Sequence, residues 1–492
     1  METKRGHFIR NVITVSGSFA LAAAMGLLRD MVLARRFGMG ADLDVYYAGF
    51  KLPELLFTLV AGGALATALV PLLMAAHADE GRPAMWRLAS AVANIVLTVA
   101  AALAVLAAFL SPWLVRTLIA PGFTALQQAE TVAVMRLALI STLIFALSSI
   151  QTSVLHSHQH FTLPALAPIL YPVGLIVGAQ WLAPRYGLRG LALGAILGSL
   201  LHLVVQWPAL LRLHVRWQPV YDLGRASVRR VFVLMGPRIL DLGVFQLTML
   251  ATANLASRLG AGSVSSLEWG WQLMQFPETI IGTAIGLVAL PTLSALAARR
   301  DVTGLRGALG ASLRVIAALA LPAAVALVLL GRPLVAVLYQ RGAFDPAATE
   351  AVYTALRFYA LGLLGHACLE VAARAFFAQQ DTLTPLYLAA GSAALNILLG
   401  VLLMGPLGPG GLALANSLAV SSAVGLRPRK SSSDSASPSP SSSLSGSVRE
   451  TGCSCRSLYG CVSGAAAMPS IDPCGLSAYA AIGSCAGSHG PP

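Results

Sequence analysis

The chain has 492 residues, 57% of them apolar and 11% charged, where an ordinary soluble protein carries roughly 25% charged, so a conventional water-soluble enzyme is excluded. Its net charge of +13 comes from Lys and Arg scattered among short segments rather than gathered on one folded face, which argues against nucleic acid as a partner.

In chain order, the runs 11–28, 55–78, 88–115, 137–184, 190–211, 279–298, 315–331 and 382–426 contain no Asp, Glu, Lys or Arg. A bilayer crossing needs about 20 apolar residues, so these runs read as membrane spans. The two longest, broken by His158 and Pro164 and by Gly405 to Gly411, hold two crossings each. The pattern predicts an all-α polytopic membrane protein of about 12 transmembrane helices. Lys4, Arg5 and Arg10 ahead of an apolar stretch give the opening the look of a signal peptide, but the repeat described below needs this segment as its first helix.

Alternate connecting loops differ in charge. One set carries seventeen Lys and Arg residues, among them Lys4, Arg87, Arg212, Arg229, Arg230 and Arg299, and the other carries nine. The positive-inside rule places the N-terminus and the loop around Arg212 to Arg230 in the cytoplasm. After Leu426 the composition changes abruptly to Ser and Pro, then to Cys, Gly and Ala without helical period. Such a segment cannot bury enough apolar surface to fold, and its sudden onset reads as a coding error in preference to an interaction tail. Five of the six cysteines lie in this tail, with no metal-ligand spacing, and Cys368 stands alone in an apolar helix.

An internal repeat organises the rest. Leu33, Ala34, Arg36, Gly38 and Gly40 recur as Leu255, Ala256, Arg258, Gly260 and Gly262; Pro53-Glu54 recurs as Pro277-Glu278; Pro112, Gly122 and Phe123 recur as Pro333, Gly342 and Phe344; Gln159 with Pro164 recurs as Gln380 with Pro385. The expected organisation is an N-terminal six-helix lobe (1–214), a basic cytoplasmic inter-lobe loop (215–230), a C-terminal six-helix lobe (231–426) and the tail (427–492). Six helices is an even number, so the repeats are parallel, the arrangement in which transporters place a substrate site between halves that rock. Pro53 and Pro277 break equivalent helices and are the expected hinges.

Ionisable groups inside spans are costly and usually face a cavity or a partner. Asp44 and Lys51 lie two helical turns apart, Glu54 follows Lys51 by three, and Glu268, Gln272 and Gln275 form a polar stripe on the equivalent helix. Arg238 with Asp241, and His366, Glu370 and Arg374, add further polar faces. These groups suit a wet cavity, or else self-neutralised packing pairs: Lys51 with Glu54, Arg238 with Asp241, Glu370 with Arg374. His156, His158 and His160 fall in a turn and carry no metal expectation. Gly194 with Gly198, and Gly282 with Gly286, have the small-residue spacing of close helix contacts. No phosphate loop, nucleophile elbow or zinc helix is present, so neither catalytic residues nor a cofactor or metal is expected.

The segments Gly26-Leu27-Leu28-Arg29-Asp30, Ala34-Arg35-Arg36-Phe37-Gly38, Asp44, Phe50-Lys51-Leu52-Pro53, Ala120-Pro121-Gly122-Phe123, Met235-Gly236-Pro237, Phe276-Pro277, Leu290-Pro291, and Gln379-Gln380-Asp381 ahead of Thr384-Pro385 resemble the MurJ (MviN) lipid II flippases of the multidrug/oligosaccharidyl-lipid/polysaccharide exporter superfamily. The resemblance runs from about residue 8 to 425. It implies a flippase that carries a polyprenyl-diphosphate-linked peptidoglycan precursor from the cytoplasmic to the outer leaflet of the bacterial inner membrane by alternating access. Membrane lipids and the cell-wall synthesis machinery are the implied partners. Arg29 and Asp44 match functional positions of the family, whereas Ala23, Phe57 and Gln272 stand where well-studied members have arginines. The family also has two further helices where this chain has its Ser/Pro tail.

A diphosphate cannot cross hydrocarbon without cations to hold it. Arg29 and Lys51 are expected to supply that attraction, with Glu54 as partner and Asp44 holding Lys51 while the cavity is empty. Arg238, Asp241, Glu268 and Gln272 are candidates for cavity lining or ion coupling. Alternative readings are a small-molecule or drug exporter, which would need an acidic, aromatic cavity, and a non-transporting scaffold of the same fold. The lack of paired acidic residues in a long extramembrane loop argues against a glycosyltransferase.

Overall fold

The computed structural model describes residues 2–61, 63–213, 215–379, 381 and 383–425, except for the side chains of 2–17, 19, 20, 61, 63, 64, 237, 238, 424 and 425; the tail 427–492 therefore lies outside the described residues. All regular structure among them is helical: α1 Glu2–Phe37, α2 Ala41–Ala61 with Gly63–Glu80, α3 Arg82–Ile119, α4 Ala125–Ser157, α5 Thr162–Tyr186, α6 Leu188–Arg212, α7 Ala226–Ala256, α8 Ser263–Ala298, α9 Val302–Tyr339, α10 Pro346–Leu361 continuing as Leu363–Ala378 after a 47° bend, α11 Leu383–Leu407 and α12 Pro409–Gly425. Among the described residues, nine helices are long and apolar enough to cross a membrane, or ten if the bent α10 is one span; α1 and α12 are outside that count.

The helices pair by a scheme that repeats six helices later. In the first half α1 packs on α5, α2 on α4, α3 on α4, α4 on α6 and α5 on α6. In the second half α7 packs on α11, α8 on α10, α9 on α10, α10 on α12 and α11 on α12. Between the halves, α2 meets α7 and α8, and α1 meets α9.

The paired turns at one end follow the same symmetry. The α1–α2 turn presses on the α9–α10 turn: Ala343 N donates to Arg35 O at 3.0 Å, and a Cβ on Gly342 would lie 2.4 Å from that same oxygen. The α3–α4 turn presses on the α7–α8 turn, where a Cβ on Gly122 would lie 2.3 Å from Ser257 O. Arg35 and Ser257 are themselves equivalent in the repeat, as are Gly122 and Gly342. Only glycine lets the backbones approach this closely, which explains why these repeat positions are glycine.

Glycine also fixes the contact between α5 and α6. A Cβ on Gly174 would sit 2.2 Å from Gly198 Cα, and one on Gly194 would sit 2.6 Å from Gly178 Cα, so the spacing read as a packing device is one. Gly194→Leu is expected to separate the two helices, and because backbone cannot yield as a side chain can, the cost exceeds the usual 1–3 kcal/mol of overpacking. Thermal denaturation of the purified variant checks this, and an unchanged midpoint would contradict the tight contact.

One core cluster runs continuously across both halves at the paired-turn end, from Leu33, Leu43 and Tyr47 to Trp269, Tyr339 and Leu412. At the opposite end the core is split. Leu65, Trp86 and Leu155 pack with Val228 and Met235 in one cluster, while Leu293, Leu305 and Ala375 form another. The bundle is thus sealed where apolar packing is shared and opens where it is divided.

The segment joining α6 to α7 lies at the divided end and is strapped to α3. Asn94 Nδ2 donates to Gln218 O and Val220 O at 2.9 and 2.8 Å, Asn94 Oδ1 accepts from Trp217 Nε1 at 2.9 Å, and Ser90 Oγ accepts from Gln218 N at 3.1 Å. Arg87 Nε pairs with Asp222 at 2.5 Å, and its hydrogen bonds hold the Asp222 carboxyl below the usual carboxylate range. Glu80 and Arg225 form a further pair.

Candidate functional site

One face of α2 carries Asp44, Tyr47, Lys51, Glu54 and Thr58, spaced by three and four residues so that they form a single stripe. This stripe faces α7 and α8 from the other half, and its contacts run from the sealed end toward the cavity.

Asp44 is fully buried. Its Oδ2 accepts from Gly262 N at 2.6 Å, and its Oδ1 accepts from Ser265 N at 2.7 Å and Ser265 Oγ at 2.8 Å. Helix α8 begins at Ser263 after Gly262, whose φ of 87° and missing side chain leave it with no cap of its own. The first N–H groups of a helix are unpaired and its N-terminus is positive. Asp44 satisfies both needs from across the interface.

One turn on, Trp269 Nε1 donates to Tyr47 Oη at 2.5 Å, and the Trp269 ring, fully buried, packs on Tyr339 and Phe344. The two partners are 222 residues apart, the offset of the repeat, so the contact joins equivalent positions. Next, Lys51 Nζ pairs with Glu268 Oε2 at 2.7 Å, with side-chain exposures of 9% and 23%. Farther along, Gln246 Nε2 donates to Thr58 Oγ1 at 3.2 Å.

These contacts correct two expectations. Asp44 does not hold Lys51, because its oxygens are taken up by the α8 N-terminus. Lys51 forms its ion pair with Glu268 rather than with Glu54; Glu54 is exposed but stays near enough to act electrostatically on Lys51. The packing pair Glu370 with Arg374 does form, at 2.7 Å. Arg29 is bound by its neighbour: Nη2 and Nε donate to Asp30 Oδ1 at 2.6 and 2.8 Å.

Beyond the Lys51–Glu268 pair, a cavity of about 940 Å³ opens in the second half toward the divided end. Its lining includes Asp241 from α7, Trp271, Gln275 and Glu278 from α8, and His366, Glu370 and Arg374 from α10; α2 contributes Thr67. Gln272 is half-buried on the helix that supplies Gln275 and Glu278. The Arg238 side chain lies outside the described ones.

The two prolines differ in surroundings. Pro53 is buried and its carbonyl accepts from Thr142 Oγ1 at 3.2 Å. Pro277 is followed by a π-helical turn, Thr279–Thr283, and Arg374 Nη1 donates to Thr283 O at 2.7 Å. A Cβ on Gly286 would fall 1.8 Å from that same nitrogen, so this glycine makes room for the guanidinium. No group of three or more His, Cys, Asp or Glu able to hold a metal occurs among the described residues. His158 stacks on Trp86, and its Nδ1 lies 3.0 Å from Val154 O.

Tyr47, Ser265, Trp269 and Thr283 were not singled out in the sequence, whereas Gly262 was visible there as a repeat position and Gly286 as a close-packing glycine, but neither with its partner across the bundle. The 3-4 spacing of the α2 stripe was a usable signal for Tyr47, and the 222 offset was one for Trp269.

A family profile described as Lipid II flippase MurJ matches residues 33–431. The chain is 33% identical over 417 residues to a protein named Lipid II flippase MurJ from Burkholderia cenocepacia, covering 83% of this chain and 81% of that one. It is 29% identical over 423 residues to a protein named Probable lipid II flippase MurJ from Vibrio cholerae, covering 83% and 80%. Among solved structures, Lipid II flippase MurJ in an inward closed conformation aligns at TM-score 0.73 and 24% identity, covering 84% of this chain and 86% of that one. An inward-facing multidrug resistance MATE family transporter of the MOP superfamily aligns at TM-score 0.67 and 13% identity, covering 84% and 95%. These two alignments describe the fold.

Proposed function

The chain belongs to the MurJ lipid II flippase family, and from that premise we propose that it moves lipid II, a polyprenyl-diphosphate-linked peptidoglycan precursor, from the cytoplasmic to the outer leaflet. It is a multi-pass membrane protein and a transporter rather than an enzyme. In this reading it sits in the bacterial inner membrane with its N-terminus in the cytoplasm, and α1–α6 and α7–α12 are the two lobes. The sealed end then faces outward and the cavity opens to the cytoplasm.

The observation that carries the reading is the Lys51–Glu268 pair, which spans the two lobes and lines a small pocket that shares Met249 and Trp271 with the cavity. A diphosphate arriving there competes with Glu268 for the ammonium group. Once Lys51 turns to the substrate, one of the ties between the lobes is released and they are free to rock. Arg29, with Asp30 as its resting partner, is the second cation proposed for the diphosphate, and Asp44 is the latch of the outer gate. Pro53 and Pro277 are the proposed hinges.

The test is a leaflet assay in vesicles containing the purified full chain and fluorescent lipid II. Wild type is expected to move the lipid, and Arg29→Ala to slow movement at least tenfold at normal protein level, because a charge-assisted contact is worth about 1.5–3 kcal/mol. Absence of movement by wild type, in vesicles where a MurJ relative is active, would overturn the proposal. Export of a small cationic molecule is the second reading, favoured by the carboxylates of Asp241, Glu278 and Glu370 in the cavity lining. Cation-dye efflux without lipid movement in the same vesicles would support it.

A further inference from the structure

We infer that the segment joining α6 to α7 is a fixed docking surface for anionic phospholipid headgroups of the leaflet at the divided end. The inference is independent of what the protein transports.

The segment presents large apolar and aromatic side chains outward. Trp217 is 64% exposed, Leu223 66% and Tyr221 51%. A loop bathed in water gains nothing by holding such groups out, yet here the backbone is tied down by Asn94, itself 7% exposed, through its contacts to Gln218 O, Val220 O and Trp217 Nε1. With the indole nitrogen pinned to Asn94, the Trp217 ring is held in one orientation. The segment joins the ends of two spans, which puts it at the membrane–water boundary, where Trp and Tyr are favoured because one part of the ring is apolar and another polar.

Charge supplies the second observation. Arg216, Arg229 and Arg230 are exposed, and no ion pair holds any of them among the described residues. The acidic groups beside them are already engaged, Asp222 by Arg87 and Glu80 by Arg225. Arg229 and Arg230 also lie near the N-terminal end of α7, which has no acidic residue in its first turn. The helix dipole disfavours cations there, so these charges gain nothing within the chain.

Outward apolar anchors interleaved with unsatisfied arginines at the bilayer boundary fit a surface of lipid phosphates. A nucleic acid would satisfy the arginines but leave the apolar side chains in water. Each arginine near an anionic membrane surface contributes roughly a fivefold preference.

The test uses the full chain in lipid nanodiscs containing phosphatidylglycerol and phosphatidylcholine. Phosphatidylglycerol retained through detergent purification is counted for wild type and for the triple variant Arg216→Gln/Arg229→Gln/Arg230→Gln. Retention is expected to fall at least tenfold in the variant and to be unaffected by inorganic phosphate, which distinguishes a lipid surface from a free-anion site. Quenching of tryptophan emission by brominated lipid, taken as wild type minus Trp217→Phe, should be stronger with brominated phosphatidylglycerol than with brominated phosphatidylcholine. Equal retention by the triple variant would overturn the inference even if that variant folds normally. Displacement of the lipid by inorganic phosphate, or equal quenching by the two brominated lipids, would also overturn it.

Discussion

Replacing Asp44 by Ala is expected to unlatch the sealed end and to abolish transport. The substitution strips a buried helix N-terminus of its only carboxylate contact among the described residues, leaving Gly262 N–H and Ser265 N–H without an acceptor. Hydrogen bonds to a charged group are worth about 1.5–3 kcal/mol each. Even a net loss of about 3 to 4 kcal/mol moves a two-state gate by two to three powers of ten toward the open form. Asp44→Asn should be intermediate, because its carbonyl accepts one N–H while its amide opposes another. Spin labels at Arg116 and Arg258, in a background without other cysteines, report the separation of the two halves at this end. A distance distribution and turnover matching wild type in Asp44→Ala would show that the cap is not a latch.

The Lys51–Glu268 pair yields the second large effect, and it separates stability from transport. Lys51→Met leaves a carboxylate near the interface without its partner, and Glu268→Met leaves a buried ammonium group. Breaking one side of a buried pair costs about 3–5 kcal/mol, whereas replacing both sides with packed apolar groups is often neutral. Each single variant should therefore be markedly less thermostable, and the double variant Lys51→Met/Glu268→Met should recover most of the loss. If substrate acts by taking Lys51 from Glu268, the double variant stays inactive despite its regained stability. Wild-type lipid movement by the double variant would reduce the pair to a packing element and remove the exchange step.

Much of the architecture was legible in the residues alone. Charge-free runs of span length must be helices in lipid, because hydrocarbon offers no partner to a backbone N–H or C=O. The 220–224 offset between repeat motifs anticipated a pairing scheme that recurs six helices later. The Gly194 and Gly198 spacing on α6 anticipated a close helix contact, since a missing Cβ is a local property, but the glycines of α5 that meet it came from the structure. The polar character of α2 was visible for the same reason: Asp44, Lys51 and Glu54 share a helix face whatever lies opposite.

What lies opposite could only come from the tertiary structure. Asp44 and Lys51 looked like partners because they are two turns apart on one helix, yet both are engaged by α8, more than 200 residues later. Side-chain pairing is settled by the three-dimensional approach of α8, whose uncapped N-terminus offers two N–H groups to a carboxylate and whose Glu268 offers an oxygen to an ammonium group. Arg374 shows the same limit: nothing in its neighbourhood along the chain points to the Thr283 carbonyl or to the space left by Gly286. Periodicity along a chain reports which face of a helix is polar, because that depends on 3.6 residues per turn. It does not report which group on another helix arrives to meet that face, because that depends on how the two halves of the repeat close on one another.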